Sequence, residues 1–276
     1  MTGRVVLNAL IGVALLAEFI ALAGHALFGS GPPDYAATPR SLVVRAPQPP
    51  TGRQVLLALA ATAEASPAEP GARTRAAYAY VERESWQLPA DRAEAMRADV
   101  TVTLTQSWRR RRGGGRVLST IESRGRVIAT RITTGAPVPV LSADASLLRR
   151  RLGIGASSDE QSSAALVRFV GLADAEPIAP RVEAGILRLL AAIPGVIADG
   201  TVSDRAGRAG DAVSLDSEDA GRSVRYTLVF AADTGRLQEA DETFIGDGPA
   251  DVPEGATLAY TTFIATGYTA NTMTRP

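Results

Sequence analysis

The sequence has no cysteine and a single histidine, His25, and all 29 of its basic residues are arginine. Without cysteine there can be no disulfide, no thiolate nucleophile, no thiolate metal site and no acylated N-terminal cysteine. His25 lies in an apolar segment, which excludes a Ser-His-Asp triad, a Cys-His dyad or a histidine metal site in any water-facing domain. Catalysis would have to rest on carboxylates, Ser, Tyr or Arg. The 29 acidic residues balance the arginines to a formal charge of zero. No global basic field therefore points to nucleic acid as a partner. Arginine without lysine, alongside abundant Ala, Gly and Pro, reads as the bias of a high-GC genome. No Gly-x-Ser-x-Gly elbow, Walker loop or Rossmann loop occurs. The expectation is a protein that is not an enzyme and that carries no cofactor and no metal.

What is present begins with a long apolar run. Val5 to Phe28, VVLNALIGVALLAEFIALAGHALF, would be ~36 Å long as a helix, enough to cross a bilayer. Arg4 ahead of it predicts a cytoplasmic N-terminus and an outward-facing C-terminal domain. The expected organisation is a transmembrane signal anchor over 1–29, a Pro-rich linker over 30–52 and an extracytoplasmic domain over 53–276. The alternative is a cleaved signal peptide, with Gly24-His25-Ala26 as the small-x-small site and the domain secreted. Glu18 lies within the run. A carboxylate there costs roughly 2.5–3.5 kcal/mol on insertion scales, which makes a partner helix in the membrane a reasoned expectation.

Beyond the linker, RQVLLALAATAEA (Arg53 to Ala65) has helical propensity and an apolar face. The period then changes. Arg73 to Trp86 alternates as a strand, and ADVTVTLTQSW (Ala98 to Trp108) alternates most clearly, with Val100, Val102 and Leu104 on one face and Thr101, Thr103 and Thr105 on the other. Arg116 to Ser123 and Arg126 to Thr133 continue an antiparallel meander. Helices are expected over Ala143–Leu152, Ser158–Val170 and Ala179–Ile193, the last stopped by Pro194-Gly195. Strands return at Val196–Val202, Ala209–Leu215, Arg222–Phe230, Arg236–Phe244 and Thr257–Tyr268. Clustered helices and short strand connections give an α+β fold of eight to nine strands and four helices.

Several charged groups are candidates for contacts. Arg109, Arg110, Arg111 and Arg112 in RRRRGGGR suit an anion or an acidic partner, since guanidinium groups match phosphate geometry. Asp199, Asp204 and Asp211 sit in a Gly-rich stretch, but their spacing is not that of an EF-hand loop and no bidentate Glu closes it. Asp204 and Arg208 are read instead as local ties of a tight hairpin. Glu239, Asp241 and Glu242 alternate imperfectly with apolar positions, and nothing in the sequence places two of them together. Tyr78, Tyr80, Trp86, Trp108 and Phe169 are read as core or as the lining of an apolar pocket under the sheet.

ILRLLAAIPGVIADGTVSDRAGRAGDAVSL (Ile186 to Leu215) resembles the signature of a family of actinobacterial membrane-anchored proteins often encoded beside extracytoplasmic-function sigma factors. Pro194, Gly195, Val196, Gly200, Val202, Asp204, Gly207, Arg208 and Gly210 match that pattern, while Ile193 stands where Leu is usual. The Asp-Thr-Gly turn at 233–235 and the Tyr-x-Tyr strand at 78–80 followed by Trp86 also fit. The resemblance spans Val55 to Thr266. The outer domain is also similar to the half-barrels of periplasmic lipoprotein carriers and sigma regulators, which implies a curved sheet wrapped around helices. It implies a sensor or regulatory partner in envelope signalling, or a lipid- or lipoprotein-binding carrier with an apolar cavity. Relatives carry a cytoplasmic arm before the membrane helix, whereas Met1 to Arg4 is all that stands there, so either a second protein is expected to make any sigma-factor contact or the natural start lies further upstream. Pro194, Gly195, Gly207 and Gly210 are expected to shape turns. Replacing Glu18 with Leu is expected to weaken recovery of a membrane partner on co-purification, and unchanged recovery would remove Glu18 from that contact.

Overall fold

The computed structural model describes residues 38–46, 51–67, 78–89, 100–110, 115–123, 125–135, 141–155, 159–219, 221–246 and 252–276. Val5–Phe28, Glu18, Arg111 and Arg112 lie outside them. No helix among the described residues is long and apolar enough to cross a membrane.

The fold is α+β, with ten strands in one antiparallel sheet and four helices among the described residues. In chain order the elements are β1 (Val43–Ala46), α1 (Gly52–Ala65), β2 (Tyr78–Gln87), β3 (Thr101–Arg109), β4 (Gly115–Ser123) and β5 (Arg126–Gly135). Next come α2 (Ala145–Leu152), α3 (Asp159–Ala175) and α4 (Pro180–Leu190). The last five strands are β6 (Ile197–Ser203), β7 (Ala209–Asp219), β8 (Arg222–Phe230), β9 (Leu237–Phe244) and β10 (Thr257–Thr269). Across the sheet the order is β1-β6-β7-β8-β9-β10-β2-β3-β4-β5. The two meanders join where β10, the last strand, lies between β9 and β2.

Local chemistry explains the helix ends. Thr51 and Gln54 form a reciprocal capping box at the start of α1, satisfying two backbone donors. Asp144 accepts from the backbone N–H groups of Ser146 and Leu147 at the start of α2, and Gly153 closes that helix in the left-handed region. Pro180 opens α4, where its missing N–H costs nothing. That helix stops at Leu190, before Pro194, and Ala191 to Gly195 run on as turns.

The helices cover one face of the sheet. Val182, Ile186 and Leu190 of α4, Leu56 and Leu59 of α1 and Phe169 of α3 meet Val213, Leu215, Leu228 and Phe230 from β7 and β8. Phe169 stacks on Phe230 with ring centroids 6.2 Å apart. The buried carboxylate of Glu183 in α4 accepts from the backbone N–H of Leu237 at 3.0 Å, tying this helix to β9. Tyr80 and Trp108, by contrast, pack together on the other face, centroids 5.1 Å apart. The C-terminal tail covers them there: Trp108 Nε1 donates to the Thr274 carbonyl at 2.9 Å, and Arg275 reaches Glu82 at 2.6 Å. Tyr80 and Trp108 therefore share no pocket with Phe169.

Two further readings change. Val43–Ala46, in the stretch read as linker, pairs with β6 as an edge strand. Gly210 is not a turn residue: it lies in β7, where a Cβ would stand 2.6 Å from the Phe230 carbonyl oxygen. It is needed for close strand approach, while Gly207 (φ 81) and Gly195 (φ 79) do occupy the left-handed region.

Gly235 also sits at positive φ, in the turn between β8 and β9, and a Cβ there would come within 2.6 Å of the Leu59 carbonyl oxygen on α1. At Gly207 a Cβ would meet nothing within 4 Å. Gly207→Ala is expected to cost only the left-handed penalty, ~1–2 kcal/mol. Gly235→Ala is expected to cost clearly more, because the turn must also back away from α1. Urea unfolding of both variants measures the difference.

Candidate functional site

Among the described residues, the helix layer does not extend over the whole sheet. Strands β6 to β8 are roofed by α1, α3 and α4. Past the flank of α3 the same sheet face continues onto β9, β10, β2, β3 and β4, and a cavity of about 530 Å³ opens at that step. Its volume falls within the ~300–1,000 Å³ typical of small-molecule sites. Val167, Val170, Gly171 and Asp174 of α3 form one wall. Strand pairing assigns the other. Thr105 pairs with Arg83 and Ser119, and Thr103 and Thr261 both pair with Ser85. Thr261 in turn pairs with Ala240, and Ala240 with Leu228 of the helix-covered core. Period-two alternation therefore turns Arg83, Ser85, Thr103, Thr105, Ser119 and Thr261 to the cavity side. The threonine face of β3, not its Val-Leu face, points toward the helices.

One ion pair crosses the cavity. Arg83 Nε on β2 binds Asp174 on α3, and Arg83 Nη1 donates to Ser85 Oγ at 2.9 Å. The pair ties the flank of α3 to the sheet. It is part-exposed, so its net contribution to stability is small, ~0–1 kcal/mol.

The opposite face of β9 and β10 carries a closed polar network around Arg205, which lies in the β6–β7 turn. The Arg205 backbone N–H donates to Glu239 Oε2 at 2.7 Å, and its guanidinium binds Glu239 Oε1. The same guanidinium donates to Asp241 Oδ2 at 2.6 Å, to Thr257 Oγ1 at 3.1 Å and to the Arg40 carbonyl at 3.0 Å. It also lies 4.1 Å from the Tyr260 ring centroid. Thr262 donates to Glu239 at 2.9 Å and Thr243 to Asp241 at 2.6 Å. Glu239 and Asp241 are fully or nearly fully buried. Burial pushes both carboxyls above their ordinary range, against the pull of Arg205, which lowers them. Tyr260 donates to Glu84 at 2.7 Å, and burial raises its phenol. Tyr80 is pushed up to about 12, chiefly by burial and then by its bond to Glu82. Nothing in the sequence pattern signals that Glu239 and Asp241 share a partner. The fold brings them together on one cation, an arrangement that holds a turn to a sheet.

The other candidates fall into local structure. Arg208 binds Asp204 through its backbone N–H at 2.7 Å and Nε at 2.6 Å, closing the β6–β7 turn. Asp199 accepts from Ser214 at 3.0 Å and Asp211 from Thr201 at 3.4 Å, so the three aspartates do not converge. No group of three metal-ligating side chains occurs among the described residues. Arg110 stacks on Tyr78, 4.5 Å from its centroid, and also donates to its hydroxyl. Arg109 ends β3 half-buried, and Arg116 lies over Trp108 at 5.8 Å. Pro194 and Gly195 lie in the turn after α4. None of these residues lines the cavity.

No protein-family model matches the chain, and no curated protein matches it. Among solved structures it is similar to a dehydratase domain from the CurK module of curacin polyketide synthase, at 11% identity over 76% of this chain and 79% of that one, with a TM-score of 0.16. A likeness that slight carries no argument.

Arg205→Met is expected to destabilise the protein by ~3–5 kcal/mol, because it leaves two buried carboxylates without their cation. The pH dependence has a definite sign. A carboxyl raised in the folded state contributes stability that is complete below its unfolded value and is lost as pH rises through the folded value. The variant should therefore recover stability toward acid and lose it steeply above the ordinary carboxylate range. Urea midpoints measured across pH, for both proteins, check magnitude and sign together.

Proposed function

We propose that this chain is a membrane-anchored extracytoplasmic binding protein of an envelope signalling system, and that the cavity beside α3 receives a small amphipathic ligand. The observation that carries this reading is the cavity itself, in which Val167 and Val170 of α3 face a hydroxyl-bearing sheet wall. A sheet whose helices, among the described residues, lie on one face is also what a half-barrel requires. The charged residues at the cavity all have partners, Arg83 with Asp174 within it and Asp241 with Arg205 beyond it, an arrangement suited to holding a ligand rather than to moving protons. The anchor reading supplies the location. Ser41 Oγ donates to the Gly255 carbonyl at 2.5 Å and Arg205 holds the Arg40 carbonyl, so the domain begins there. From Phe28 to Arg40 an extended chain reaches at most ~40 Å, which keeps the domain close to the membrane surface. A lipid- or lipoprotein-carrying role would use the same cavity and differ in delivering its ligand onward.

Gly171 makes the reading testable. It lines the cavity, and a Cβ there would meet nothing within 4 Å. Gly171→Leu should fill the space without harming the helix, since Gly in a helix already costs ~0.5–1 kcal/mol relative to Ala. Native mass spectrometry of the protein released gently from its host membrane is expected to show a bound small amphiphile that the Gly171→Leu protein lacks. A bare mass for both proteins would overturn the binding reading.

A further inference from the structure

The charged residues that line the cavity all have partners. Arg83 holds Asp174, and Asp241 is bound by Arg205 on the far face of the sheet. Arg222 and Glu242 are engaged as well. The hydrogen-bonding groups left over are hydroxyls. Thr103, Thr105, Ser119 and Thr261 line the cavity and make no side-chain hydrogen bond among the described residues. Thr105 is 7% exposed as a residue, and its hydroxyl is open to bond with whatever fills the space. These groups sit on three strands, β10, β3 and β4, with β2 between β10 and β3 and neighbouring strands ~4.8 Å apart. Facing them, Val167 and Val170 offer only hydrocarbon.

This division restricts the ligand. A carboxylate or phosphate head entering the cavity would be stripped of water with no uncommitted cation to receive it, and would have to break the Arg83–Asp174 pair. A neutral head rich in hydroxyls can both donate to and accept from a row of threonine and serine side chains. We infer that the cavity selects an uncharged amphiphile: one hydrocarbon chain laid along α3, and a neutral polyol head on the hydroxyls of Thr103, Thr105 and Ser119. The inference rests on the binding reading above and adds the chemistry of the head.

The test uses the full chain held in amphipol and three probes of one chain length: a monoacylglycerol, the free fatty acid and a lysophosphatidylglycerol. The monoacylglycerol should bind at least about tenfold more tightly than either charged probe. The double variant Thr103→Val, Thr105→Val keeps shape and strand propensity but removes two hydroxyls. It should weaken monoacylglycerol binding about tenfold, the loss of two neutral hydrogen bonds, and leave the fatty acid unchanged. Equal or tighter binding of a charged probe by the native chain overturns the neutral-head assignment and leaves the binding reading standing. Failure of all three probes overturns both. If the double variant does not fold, the ranking of the three probes on the native chain still decides. A folded variant that binds the monoacylglycerol as well as the native chain does also overturns the assignment.

Discussion

Arg205 is the tie on which the sheet depends. It stands in the turn between β6 and β7, yet its partners Glu239, Asp241, Thr257 and Tyr260 lie on β9 and β10, with β7 and β8 between. The turn is folded back across the open face and anchored beyond two strands. A neutral side chain could not do this. Glu239 and Asp241 would be buried without a counter-charge, at a cost of several kcal/mol each. The neighbouring Asp204–Arg208 pair and Gly207 set the turn geometry that delivers Arg205 to them. The stretch around residues 194–210 is thus architecture, and its most consequential member is the arginine within it.

Much of the scaffold was legible because it follows periodicity. The helix beginning after Thr51, the helix capped by Asp144 and the strands from Arg222 to Phe230 lie within a residue or two of where pattern and capping put them. Residues whose roles depend on distant partners were not legible. Val43–Ala46 is four residues between prolines, and it is a strand because β6 offers an edge. Arg205 looks like any charge in a Gly-rich turn until β9 is folded against it. The alternation of Thr101, Thr103 and Thr105 was plain, but not which face turns inward. Burial normally settles that, and here a cavity removes the usual pressure for an apolar face.

Polar groups are handled differently on the two faces. Around Arg205, donors and acceptors satisfy one another, and on that face the C-terminal tail closes over Tyr80, Trp108 and Glu82. On the helix side, α3 stops short of β3 and β4, and hydroxyls remain open. A fully packed α/β layer would have placed Val or Leu at positions 103, 105 and 261. Retaining hydroxyls there forgoes hydrophobic burial, which is what a site for a partly polar guest requires.

These two faces share their strands. Ala240 and Thr261 line the cavity, while their sequence neighbours Glu239, Asp241, Tyr260 and Thr262 cage Arg205 or its partners. The Arg40 carbonyl, where the chain enters the domain, hangs on the same guanidinium. Side chains alternate with a period of two, so no spacer separates the cavity wall from the cage: each is the reverse of the other. A change in the spacing of β9 and β10 at the cavity is at once a change in the Arg205 cage, because packed interiors give little. The entry point of the chain is therefore mechanically joined to the cavity beside α3.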